Sequence, residues 1–261
     1  MTTTRLPSTD LHRSSSADIK GVAIAASIVT CWGALFLALL LTKELSPTIY
    51  IVTLPVITFL YVGLFITAHD AMHGLVAPSY PRLNAAIGRL AVWCYALFSY
   101  NKLLKEHWRH HSHPGVPGND PDFHDGSHRG FVMWYLHFMW HYTSVAQLLR
   151  IAIAVQVAVY LFGITESRIM LAFGIPGLLS SLQLFYFGTY LPHRDQLPHG
   201  KRASHADKTP AFADHHNARS NDFPVWLSFV TCYHFGYHLE HHRFPRVPWW
   251  ALPQVRRERI P

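Results

Sequence analysis

Four stretches of the chain run for about twenty residues each with almost no charge, and polar or basic segments set them apart in two pairs. A helix needs about 20 mostly apolar residues to cross a hydrocarbon core roughly 30 Å thick. Residues 22–41 meet that length without a charge; the turn Lys43-Glu44-Leu45-Ser46 follows, and residues 47–68 predict a second span with Pro55 as a kink point. Residues 145–163, interrupted by Gln147, Arg150 and Gln156, predict a third span. A fourth is expected over 169–191, after a short turn holding Glu166 and Arg168. Two more apolar stretches, 87–99 and 225–237, are too short to cross and are expected to be re-entrant or surface-lying. The Trp-, Tyr-, Phe- and His-rich segment 128–144 predicts a helix at the headgroup level. The expected fold is therefore an all-α membrane protein. Residues 1–20 are read as a polar, disordered tail and 21–261 as a single membrane domain. A soluble chain with this pattern would need unusually long buried helices.

Composition sharpens the picture. Charged residues make up 14% of the chain, against roughly 25% in an average soluble domain, and 50% of residues are apolar. Disorder, a coiled coil and a disulfide-stapled module are excluded. Cys31, Cys94 and Cys232 each sit in an apolar segment without a CxxC partner, so they read as small buried hydrophobes. With four crossings, the N-terminus, the segment between spans two and three and the C-terminal region share one side. Of the 22 Lys and Arg, only Lys43 and Arg168 fall on the other side, which the positive-inside rule reads as cytoplasmic termini and long segments. The same basic face, with Arg256, Arg257, Arg259, Lys201 and Arg202, offers a docking surface for an acidic partner. Nucleic acid is not expected, since these charges lie against a membrane without a recognisable binding module.

Twenty histidines change the picture most, and all fall on the basic side. His69-Asp70-Ala71-Met72-His73 is HxxxH at the end of span two. His107-Trp108-Arg109-His110-His111 and His238-Leu239-Glu240-His241-His242 are both HxxHH. Residues at i, i+3 and i+4 share a helix face, so imidazoles from one helix can converge on one metal or on two adjacent ones. HxxxH alone is weak, because His124/His128, His137/His141 and His234/His238 match it too. Eight or nine clustered imidazoles exceed what one structural zinc can use and suit a metal pair with room for O₂; iron fits that chemistry. Carboxylates are expected to orient neutral imidazoles through their far N–H groups, and Asp70, Asp120, Asp122 and Glu240 lie within or near the boxes. His12, His199, His205, His215 and His216 read as solvated.

These boxes resemble the membrane fatty-acid desaturase and hydroxylase superfamily of diiron enzymes. Within it, HDAMHG (69–74), EHWRHHSHPGVPGNDPDFH (106–124), FYFGTYLPHR (185–194) and YHLEHHRFPRVPWW (237–250) are similar to bacterial β-carotene ketolases. The resemblance implies two iron ions, O₂ as co-substrate, electrons from reduced ferredoxin and a bacterial inner-membrane location with the active site cytoplasmic. It implies oxidation of the C4 methylene of carotenoid β-ionone rings, by two hydroxylations and loss of water, to a ketone. It places ligands on His69, His73, His107, His110, His111, His238, His241 and His242. A ninth falls on His193, with His234 as a competitor or supporting hydrogen-bond partner and His113 and His124 as outsiders. The apolar substrate is expected to enter from the bilayer along Trp93, Tyr95, Phe98, Trp226 and Phe229. Ring 3-hydroxylation and acyl desaturation or hydroxylation remain open on the same scaffold. A histidine-rich metal transporter is the rival of another class, although its mid-spans would offer chiefly Gln156 and Gln183. The sequence leaves an oligomer possible.

Overall fold

A computed structural model describes residues 15–194 and 216–259. The described residues are mostly helical, with no strand among them. Four helices are long and apolar enough to cross a membrane: α1 (Ser15–Leu41), α2 (Pro47–Met72), α6 (Val145–Phe162) and α7 (Glu166–His193). Short helices complete the described chain: α3 (Pro81–Ala96), α4 (Tyr100–Ser112), α5 (Phe131–Tyr142), α8 (Val225–Cys232), α9 (His238–Arg243) and α10 (Leu252–Arg259). The protein is a multi-pass membrane protein. α1 begins at Ser15, so residues 15–20 belong to a helix and not to the expected tail. Asp18 in its first turn is buried, and its carboxylate accepts the Ser79 backbone N–H at 2.9 Å. Residues 1–14, 195–215 and 260–261, with His12, His199, His205, His215, Lys201 and Arg202, lie outside the described residues, as does the Arg259 side chain.

α2 is the central helix. At 26 residues and 1.5 Å per residue it is about 39 Å long, more than the bilayer requires, so its last turn carries His69 beyond the apolar stem. Its flanks pack against α1, α3 and α7 in a core of Ile28, Trp32, Ile57, Tyr61, Leu64, Tyr95 and Leu184. Lipid is as apolar as these side chains, so close packing and interhelical hydrogen bonds hold the stem, not water exclusion. Two π-helical turns in α7, Met170–Gly174 and Phe185–Tyr190, shift carbonyls out of the regular ladder. Tyr61 Oη donates to the Ala172 carbonyl at 3.1 Å, and Asn221 Nδ2 to the Phe187 carbonyl at 3.0 Å.

The polar interruptions in the third span have a structural use. α3 ends at Leu97, whose φ of +54° is a left-handed cap, and its last carbonyls face α6. There Gln147 Nε2 donates to the Ala96 carbonyl at 2.8 Å, and Arg150 donates twice to the Leu97 carbonyl, at 2.8 and 3.1 Å. A guanidinium at a helix C-terminus complements the negative end of its dipole. The two short apolar stretches become α3 and α8.

Candidate metal centre

The boxes arise on three different backbone settings. His69 and His73 close α2, His73 being its C-cap. Asn84 of α3 fixes the turn that follows: its Nδ2 donates to the Ala71 carbonyl at 2.7 Å, and its Oδ1 accepts the N–H groups of Val76 and Ala77. His107, His110 and His111 stand in the last turns of α4. His238, His241 and His242 make up half of the six-residue α9. His193 ends α7, where its Nδ1 donates to the Asn217 carbonyl at 2.9 Å and leaves Nε2 as a lone pair.

Nine rings converge into two adjoining groups. His69, His73, His107, His111 and His241 form one; His110, His193, His238 and His242 form the other, and within each the ligating atoms lie within 4.8 Å of one another. The HxxHH boxes divide in opposite senses. In α4 the i, i+4 pair His107/His111 joins the five-ring group and His110 joins the four. In α9 the pair His238/His242 joins the four and His241 joins the five. A straight helix puts i and i+4 one above the other and turns i+3 aside, so one box serves both groups. The groups touch where the His111 and His242 rings stand 4.6 Å apart, centroid to centroid.

Nε2 atoms face each other at 2.6 Å (His73/His107), 3.0 Å (His111/His241, His110/His242 and His238/His242) and 2.9 Å (His193/His238). Two ligands at right angles on a metal, each bonded at about 2.1 Å, stand about 3.0 Å apart. Buried His69 also carries an Nε2 with no hydrogen-bond partner. The donor set therefore fits a metal in each group. Burial, reinforced by neighbouring imidazoles, holds His107, His238, His241 and His242 well below the usual histidine range. Burial pushes His73 down to about 4 and, with its neighbours' charges, His111 to about 2. Neutral rings are what metal ligation requires.

His110 differs. Burial opposes its charged form, yet the Asp120 and Asp122 carboxylates outweigh this and raise it to about 9. Its Nδ1 donates to Asp120 Oδ1 at 2.8 Å, and Asp120 also accepts the Gly115 and Asp122 N–H groups, at 2.7 and 2.8 Å. Asp122 lies 3.8 Å from the same ring nitrogen and accepts the Tyr142 hydroxyl. Asp70 sits 3.7 Å from His69 Nδ1 and accepts the Trp249 N–H at 3.2 Å. Glu240 does not orient an imidazole: its carboxylate binds the Ser220 hydroxyl and, at 2.9 Å, Arg256. Arg256 also reaches Asp222 and covers the Tyr237 ring, so it is committed internally and is not a free docking charge. Arg257 is exposed.

The remaining histidines among the described residues stand apart from both groups. His234 stacks on Tyr237, His113 is exposed, and His124 packs between Phe123 and Trp134 with Nδ1 accepting the Gly126 N–H. His128 pairs with Asp125, and His141 with Glu106 at 2.9 Å. His216 is half-buried, with its ring 6.1 Å from that of His242.

A cavity of about 280 Å³ leads to the five-ring group, with His69 and His107 in its wall. Phe65, Tyr95, Phe98, Phe138, Phe173 and Phe235 give it an apolar lining. Of the five aromatic residues named from the sequence, Tyr95 and Phe98 line this cavity, and Trp93, Trp226 and Phe229 do not. Trp93 and Trp226 point outward, 51% and 67% exposed, because α3 and α8 each turn only one face inward; Phe229 packs on Phe59, Tyr233 and Trp249. Phe138, Phe173, Tyr142 and Asn217 escaped the sequence reading, since no spacing marks them. Asn217 carries one signal after the fact, a φ of +44°.

The fatty acid desaturase family matches over residues 45–169 and 145–261. A "Beta-carotene ketolase" of Paracoccus sp. (strain PC1) is 43% identical over 92% of this chain and 93% of its own length. Another from Paracoccus sp. (strain N81106 / MBIC 01143) is 41% identical over 94% of this chain and 96% of its own. A "Zeaxanthin 4-ketolase" of Chlamydomonas reinhardtii is 36% identical over 94% of this chain, which spans 55% of that longer protein.

Proposed function

The chain belongs to the fatty acid desaturase family, among its β-carotene ketolases, and from that premise we propose that it oxidises the C4 methylene of carotenoid β-ionone rings to a ketone. β-Carotene would give canthaxanthin, and zeaxanthin would give astaxanthin. The observation that carries this reading is the convergence of nine imidazoles at the inner end of an apolar cavity. His69, His73, His107, His111 and His241 would hold one iron, and His110, His193, His238 and His242 the other. A pair of irons held there would supply oxygen activation, drawing on O₂ and on electrons from a reduced ferredoxin-type donor; two hydroxylations at one carbon and loss of water would then leave the ketone.

The chain's own work is positioning. Phe65, Tyr95 and Phe235 present a water-poor wall that fits an apolar ring and holds it beside His69 and His107. Asp120 keeps His110 in the tautomer that turns Nε2 inward, and the Asn217 carbonyl does the same for His193. The charge pattern supports a cytoplasmic histidine face in a bacterial inner membrane, where a soluble donor reaches it.

Expression in a β-carotene-producing host, followed by pigment chromatography, tests the reading. A 4-keto product that depends on O₂ is expected. A C3 alcohol as the sole product, or unchanged pigment with iron-loaded protein, overturns it.

A further inference from the structure

Two residues that line the cavity are also exposed on the outer surface: Leu148 of α6, at 55%, and Leu178 of α7, at 54%. Its other lining residues are buried or half-buried. Both leucines belong to helices long and apolar enough to cross a membrane, which places the exposed part of the cavity lining at a gap between α6 and α7. α6 is built to leave that gap. Only Gln147 of the whole helix is buried, and polar bonds from Gln147 and Arg150 tie its first turns to the end of α3.

On the α7 side the wall includes Gly174 and Gly177, beside Phe173, Leu178 and Ser181. A Cβ added at Gly177 would meet no heavy atom within 4 Å. Glycine weakens a helix relative to alanine, so an open site without a side chain has a cost with no packing return. At the far end stands His69, 4% exposed, with its unpartnered Nε2. From Gly174 to Thr189, which lines the inner end, α7 rises roughly 20 Å, room for a ring and the start of a polyene.

We propose that the carotenoid enters sideways from the lipid between α6 and α7, and that the bare backbone at Gly177 sets the width of this mouth to admit a trimethylated ring. This rests on the ketolase reading. A β-ionone ring is broader than a polymethylene chain, so a wide mouth serves a ring-ended substrate and gives an acyl chain no advantage.

The test uses full-length, iron-loaded protein in lipid nanodiscs supplied with β-carotene. Bound pigment, ketolation rate, iron per chain and melting temperature are measured for Gly177→Ala, Gly177→Leu and Gly33→Leu. Gly33 in α1 is equally open, with nothing within 4 Å of an added Cβ, but lies outside the cavity. Gly177→Leu is expected to lower kcat/KM and pigment binding about tenfold or more, with iron unchanged and melting no lower than in wild type. Gly177→Ala should fall between, and Gly33→Leu should match wild type. If Gly177→Leu fails to fold, Leu148→Trp narrows the mouth from the opposite side and should give the same loss. Wild-type binding and turnover in these variants, or an equal loss in Gly33→Leu, overturns the proposal. A wild type that binds β-carotene and never oxidises it defeats the ketolase reading, while the binding series still decides the portal.

Discussion

The two histidine groups are built differently. His110, His193, His238 and His242 are all sealed, none more than 4% exposed, and two of them are anchored from behind by Asp120 and the Asn217 carbonyl. The five-ring group includes the half-buried His73 and His111, and His69 and His107 open onto the cavity. Its rings rest on one another, on Trp108 and on Phe235, and the nearest carboxylate to His69 Nδ1 stands 3.7 Å away. The contrast teaches a division between a sealed group held by hydrogen bonds and a group with an extra ring that faces the cavity.

Removing one ring from each group should break the symmetry most sharply. His110→Ala leaves three imidazoles in a sealed pocket and takes from Asp120 its imidazole partner. Iron should fall to about one per chain and ketolation by more than about 100-fold. His73→Ala leaves four imidazoles in the cavity-facing group and should keep most of its iron while slowing turnover. Metal analysis beside pigment chromatography checks both; equal iron loss in the two variants would erase the distinction.

Asp120→Asn should cost about 10- to 100-fold in iron affinity or activity, since it removes the charge that orients His110 but keeps a polar group for the Gly115 turn. Asp70→Asn should do less, because Asp70 stands beyond hydrogen-bond distance of His69. Iron titration of the apoprotein separates the two.

Gly188→Ala addresses both groups at once. Its Cβ would fall 2.2 Å from the Phe235 ring, which packs on His69 and His241 of one group and His238 of the other. Overpacking of this kind costs about 1–3 kcal/mol, read as a lower melting temperature with several-fold slower ketolation. The smallest effect on the metals should come from Arg150→Leu. It removes the charged cap on α3 and should cost about 1 kcal/mol of stability while iron per chain stays unchanged.

Much of this was legible in the sequence because hydropathy acts over long windows. The four crossings follow from runs of twenty residues, and the two HxxHH boxes follow from helical periodicity. What escaped depends on which face a helix turns to its neighbours. Tyr95 and Trp93 are two residues apart on α3, yet one lines the cavity and the other is exposed on the surface. Glu240 sits inside a box but turns to Ser220 and Arg256, a choice made by side chains twenty and sixteen residues away. Asn217 acts through its backbone carbonyl, and a carbonyl leaves no mark in a side-chain pattern.

The most direct test of the bimetallic account is iron per chain in the purified, fully loaded protein, measured together with O₂-dependent conversion of β-carotene. The account predicts two irons and a 4-keto product, with both lost on chelation and restored by ferrous iron. One structural ion per chain, or full conversion by metal-free protein, would contradict it.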